Sequence, residues 1–207
     1  MAKPGFFDDF DRSRQTTAVH ADLVWEVKSL YDRIKTIDST IPVLMVHGPL
    51  VLDKPEFASQ EQRIDYLDKV VTYSEFADVV GFDVYPVTTD VAKVGSPQSQ
   101  GNIVGYDEAI PGYINWLREN IPGKKHLMVY QGFSYVDMFE SDYLNTLISA
   151  DQRQAIRAPS GTEIKSMIAT AISSDVSLVI FWGQGMLRTL DQEPWPNIVE
   201  TVRAMKK

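Results

Sequence analysis

The stretch Ala77-Asp-Val-Val-Gly-Phe-Asp-Val-Tyr-Pro86 decides the fold. Its centre is β-branched and aromatic, is closed by a proline and is too short for a helix. It is apolar at odd and even positions alike, which is the pattern of a parallel strand covered on both faces. Asp83 and Tyr85 stand two residues apart near its end, so their side chains share one face. Three further runs of the same kind are Pro42–His47, His126–Gln131 and Val176–Trp182. A shorter run, Gly5–Phe10, is interrupted by Asp8 and Asp9.

Between these runs the apolar residues change period. Leu23, Val27, Leu30, Ile34 and Ile37 recur at steps of three and four, which predicts a helix with one buried face. Ile64, Leu67 and Val71 mark a second helix, Ile110, Ile114 and Leu117 a third, and Ile164, Met167, Ile168 and Ala171 a fourth. Ser160 and Glu163 fit a capping box at the start of the fourth. Pro196–Met205 closes the chain as a last helix.

Alternation of buried strands with amphipathic helices predicts an α/β fold with a parallel sheet. The strand-to-helix loops, about 86–106 and 132–159, are long, whereas the helix-to-strand turns at 38–41 and 121–125 are short. Long loops on one rim place function there, at the carboxyl ends of the strands. Residues 1–207 read as a single domain.

With 44% hydrophobic and 23% charged residues, the chain has the apolar mass for a real core. Its formal charge of −8 lacks the basic footprint of a nucleic-acid binder and disfavours anionic membranes. There is no cysteine, so disulfides, thiol nucleophiles and thiolate metal sites are excluded. The segment Met1–Phe10 has no signal-peptide h-region, and no run approaches the ~18 apolar residues of a membrane span. Localisation stays open. The three histidines, His20, His47 and His126, are dispersed, and neither a nucleotide-cradling glycine motif nor a GxSxG elbow occurs. No metal or cofactor is expected.

The strand ends deliver Asp8 and Asp9, His47, Asp83 and Tyr85, Gln131, and Trp182 with Gln184. A saccharide offers hydroxyls to polar groups and apolar C–H faces to aromatic rings, and this set supplies both. Of the adjacent pair only one aspartate can enter a cleft, and Asp9 is favoured. Each residue also has a plainer reading: His47 bonding a loop carbonyl, Asp83 accepting backbone N–H bonds, Trp182 filling the core, Glu163 capping its helix.

These segments, in this order, resemble glycosidase-like (β/α) barrels. Gly5-Phe-Phe-Asp-Asp-Phe-Asp11 looks like their fourth strand, where an aromatic run ends in an acidic pair. The segment Tyr31–Asp38 followed by Ile41-Pro-Val-Leu-Met45 is similar to their fourth helix and fifth strand. Ala77–Pro86 is similar to the sixth strand, His126–Phe133 to the seventh and Ser177–Gly183 to the eighth. The resemblance implies a TIM-barrel-like fold, present as a partial or half-barrel of about five βα units. It also implies a cleft that acts on or binds a carbohydrate, or another small polar ligand. Asp9 would then donate a proton to the leaving oxygen, while Asp83 or a loop carboxylate would act as base toward water, an inverting arrangement.

The sequence departs from that family at two points. Gln131 stands where retaining members place a glutamate nucleophile, and an amide cannot form the glycosyl ester. The alternative is therefore a non-catalytic saccharide-binding or assembly domain derived from such a barrel. Secondly, the first three strands have no counterpart: either the chain is a fragment of a longer barrel, or the fold is an open version whose exposed edge invites pairing with another copy to complete the sheet.

Overall fold

A computed structural model of the protein describes residues 17–138, 148–183 and 194–205. Helix α1 (Thr17–Ile37) is followed by β1 (Leu44–His47), a 3-10 turn at Pro55–Phe57, α2 (Gln60–Ser74), β2 (Val79–Val84), a short α3 (Thr89–Ala92) and α4 (Tyr106–Asn120). Then come β3 (Lys125–Gln131), the short helices α5 (Tyr135–Met138) and α6 (Ala150–Gln154), α7 (Gly161–Ser173), β4 (Leu178–Trp182) and α8 (Trp195–Met205). The four strands form one parallel sheet in the order β1-β2-β3-β4, so each helical crossover leads to the neighbouring strand. This is a partial (β/α) barrel. The expected strand at Gly5–Phe10 lies outside the described residues.

Register sorts the strand residues onto two faces. Leu44 pairs with Val79, Val46 with Gly81, Asp83 with Val129, Leu127 with Leu178, and Gln131 with Trp182, so these share the concave face. Met45, His47, Phe82, Val84, Met128, Tyr130 and Phe181 take the other face, against the helices. That side holds the main core, in which Phe82 meets Tyr113 at 4.6 Å and Trp116 edge-on at 5.7 Å between ring centroids. Gly81 is required by a close approach: a Cβ there would lie 1.9 Å from the Leu127 carbonyl oxygen of the next strand.

Strands β2 and β3 are covered on both faces, as their composition predicts, but β1 and β4 are not. Val46 is 44% exposed, Ile180 37% and Trp182 40%, because no described strand lies beside either outer edge. The stripe of α1 likewise forms the predicted helix without the predicted burial: Leu30 is 60% and Ile37 76% exposed. What fixes α1 is polar. Asp78, at the foot of β2, binds Lys35 at 2.6 Å, accepts from the Tyr31 hydroxyl at 3.2 Å and from the Val43 N–H at 2.7 Å.

The capping box at α7 forms as predicted, and Arg157 adds a two-pronged bond to Glu163, at 2.5 and 2.8 Å. The Arg157 hydrogen bonds, followed by those from Ser160, hold the Glu163 carboxyl at about 2, against its usual 4.5. A carboxyl depressed on folding gives stability that is full above the unfolded value and lost as pH falls toward the folded one. Glu163→Gln is therefore expected to cost about 1 to 2 kcal/mol at pH 7. The difference from the parent should shrink between pH 4.5 and 2, read from urea unfolding across that range.

Candidate functional site

At the carboxyl ends of the strands, the concave face changes from aliphatic to polar and aromatic. Strand β2 brings Asp83 and then Tyr85, β3 brings Gln131 and then Phe133, and β4 brings Trp182. The Tyr85 and Trp182 rings stack, 5.7 Å apart and 17° from parallel. Phe133 braces both edge-on, at 5.2 and 5.4 Å, and Tyr135 stands edge-on to Phe133 at 5.3 Å. The Tyr135 hydroxyl donates to the Tyr85 carbonyl at 2.7 Å, which fixes the backbone below the stack. Phe133 is fully buried while Trp182 stays partly open, so the cluster is a rigid base carrying one accessible indole.

Two strand ends must close up to permit this. The Gly132 N–H donates to the Trp182 carbonyl at 2.7 Å, and Gly183, at φ 128°, has no room for a Cβ, which would lie 2.8 Å from that of Phe133.

Asp83 sits half-buried at this rim, and its inaccessible Oδ1 has no hydrogen-bond partner. Burial pushes its pKa up to about 6. Hydrogen bonding from its own backbone and from Tyr85, and last the charge of Lys54, act in the opposite direction. The Tyr85 hydroxyl is in turn pushed up, first by burial and then by the charge of Asp83. Asp83 is thus a carboxyl whose ionised form is poorly supported by its surroundings, the environment in which enzymes and binding sites keep acids near neutrality.

Gln131 is fully buried and belongs to the scaffold of the rim. Its Nε2 donates to the Val87 and Phe133 carbonyls, the latter at 3.0 Å, and its Oε1 accepts from the Val87 N–H at 2.9 Å. Both amide hydrogens are spent. Gln131 therefore ties the loop after β2 to the end of β3.

His47 lies on the helix-facing side, away from Asp83 and Trp182. Its Nε2 is 3.1 Å from Ser74 Oγ and its ring 5.9 Å from Phe82. Ser74 donates its own proton to the Val70 carbonyl at 2.6 Å, so the imidazole must supply the proton in the His47–Ser74 bond and carries it on Nε2. Burial lowers its pKa to about 4, which keeps it neutral. Asp8, Asp9 and Gln184 lie outside the described residues, as do Glu140 and Asp142, two of the carboxylates in the 132–159 stretch that could serve as base. Asp137 accepts from the Ser134 N–H at 3.2 Å in the turn after β3. Among the described residues no group of three or more histidine and acidic side chains is placed to hold a metal ion, and no described helix is long and apolar enough to cross a membrane.

Sequence reading had not singled out Phe133 and Tyr135. Their signal was present in Gly132-Phe-Ser-Tyr135, two aromatic residues at a spacing of two directly beyond a strand end. It also missed the tyrosines that order the loops. The Tyr113 hydroxyl accepts from the Leu50 N–H at 2.7 Å and donates to the Gly95 carbonyl at 2.9 Å, and Tyr66 donates to the Gly48 carbonyl at 2.5 Å.

No protein-family model matches the chain, and no curated protein matches it by sequence. Solved structures do resemble it. A Bacteroides thetaiotaomicron protein assigned as an alpha-L-fucosidase superposes with a TM-score of 0.52 at 8% identity, over 88% of this chain and 50% of that one. A Paenibacillus polymyxa xyloglucanase of glycoside hydrolase family 44 gives 0.46 at 14% identity, over 89% and 40%. A Bacteroides ovatus xyloglucanase of family GH5 gives 0.42 at 11%, over 91% and 52%. The likeness to the first is one of fold: the chain is built like part of a glycoside hydrolase barrel and spans about half of that protein's length.

Proposed function

We propose that the concave face at the strand ends is a carbohydrate-binding cleft. The observation that carries this reading is the partly exposed Trp182 ring, stacked on Tyr85 and locked by Phe133, with Asp83 two residues before Tyr85 on the same strand face. An immobilised indole offers a flat apolar surface to the C–H face of a pyranose, and its ordering cost is met on folding rather than on binding. Asp83 and the Tyr85 hydroxyl supply the polar partners that a sugar's hydroxyls require. Trp182→Ala is expected to weaken oligosaccharide binding at least about tenfold, since truncated aromatic anchors commonly cost more than ~1 kcal/mol. Calorimetric titration of both proteins against a panel of neutral oligosaccharides measures this, and equal affinities would remove the platform from the reading.

The second reading, hydrolysis, is favoured by one feature, the upward shift of Asp83 to about 6, which suits a general acid or base near neutral pH. With Gln131 committed to the backbone, a retaining mechanism has no nucleophile at that position. An inverting mechanism needs a second carboxylate ~6.5 to 9.5 Å away, the role assigned to Asp9 on sequence. Reducing-sugar release that disappears in both Asp83→Asn and Asp9→Asn would establish it.

A further inference from the structure

We infer that the cleft is selective for saccharides bearing a free amine, held as an ammonium between the Asp83 carboxylate and the Tyr85–Trp182 aromatic faces. This rests on the saccharide reading above and narrows its ligand class.

The argument starts from an uncompensated charge. Asp83 is half-buried with its Oδ1 shut off from solvent, yet none of the ion pairs among the described residues involves it, and Oδ1 has no hydrogen-bond partner. A buried carboxylate ordinarily has a cation or several N–H donors to offset lost hydration. Here the protein's own contribution is the Asp83 backbone N–H, then the Tyr85 hydroxyl, and last the charge of Lys54, the weakest of the influences on this group, and together they do not offset its burial. Asp78 and Glu163, by contrast, each have a lysine or arginine within hydrogen-bonding distance.

The surroundings of Asp83 suit a cation better than a neutral hydroxyl. Tyr85 is two residues along the same strand face, a step of about 7 Å, and Trp182 stacks on it. Ring faces attract ammonium groups electrostatically, most strongly where water is thin, and an opposite charge nearby adds to the attraction. An ammonium at this rim would gain from both, while a carboxylated sugar would be repelled by Asp83 and by the chain's net charge of −8. An N-acetyl group carries no charge and gains from neither.

Three tetrasaccharides sharing a β-1,4-linked gluco-configured backbone test this at pH 7. They carry at C2 a hydroxyl (cellotetraose), an acetamide (tetra-N-acetylchitotetraose) or a free amine (chitosan tetramer). Calorimetric titration is expected to give the amine form at least about tenfold tighter affinity than the acetamide form. In Asp83→Asn this ratio should fall several-fold, leaving only the smaller preference owed to the ring faces. Equal affinities for the three oligomers in the parent would overturn the selectivity while leaving saccharide binding intact. A ratio that persists in Asp83→Asn would overturn the role of this carboxylate. Absence of binding by all three would count against the cleft itself.

Discussion

Gln131→Glu, the change that would put a carboxylate at this strand end, is expected to destabilise the protein by about 3 kcal/mol and to confer no turnover. The amide's two hydrogens go to the Val87 and Phe133 carbonyls. A carboxylate in the same position would turn one oxygen, in place of the amide nitrogen, against both carbonyls, while the other keeps the one favourable bond, that from the Val87 N–H. Protonation would restore a single donor at the cost of a raised pKa. Urea midpoints of the two proteins measure the loss, and reducing-sugar assays check the second half of the prediction. A fully stable, newly hydrolytic variant would mean that the side chain at 131 is free to face substrate.

Asp83→Asn is expected to act in the opposite direction on stability, raising it by about 2 kcal/mol at pH 7.5 while weakening ligand binding. The sign follows from linkage. A carboxyl whose pKa rises on folding, here from 3.8 to about 6, contributes stability that is full below 3.8 and lost as pH climbs through 6. At pH 7.5 the parent therefore carries an ionised, poorly solvated group that asparagine removes. Near pH 3.5 both side chains are neutral and the two proteins should unfold at the same denaturant concentration. A gain at pH 7.5 that persists at pH 3.5 would assign the effect to packing instead. Stability given up at a single strand-end carboxyl is what a site group shows and a core group does not.

The sequence made some of this legible for identifiable reasons. Period-two alternation places Asp83 and Tyr85 on one face without knowledge of the fold, and the structure keeps them together at the rim. The α7 capping box could be read because its two partners are three residues apart. The face taken by His47 could not be read in this way. Leu44 and Val46 are apolar, and so is Met45 on the opposite face, so nothing in β1 marks which side looks inward. Pairing with β2 settles it, and pairing is not local. Gln131 shows the converse limit: its chemistry was plain, but its partners, Val87 and Phe133, belong partly to another loop 44 residues away. The stripe on α1 was a true helix signal that says nothing about what, if anything, covers it.

The most direct test of the saccharide cleft is the response of individual indole N–H resonances to added oligosaccharide. The chain has four tryptophans, and Trp182→Phe assigns the one at the rim. Trp116, edge-on to Phe82 in the helix-side core, is an internal control. The account predicts that the Trp182 resonance shifts in a saturable way with added sugar while Trp116 stays in place. A Trp182 signal that does not move with any sugar of a broad neutral and amino-sugar panel would contradict it.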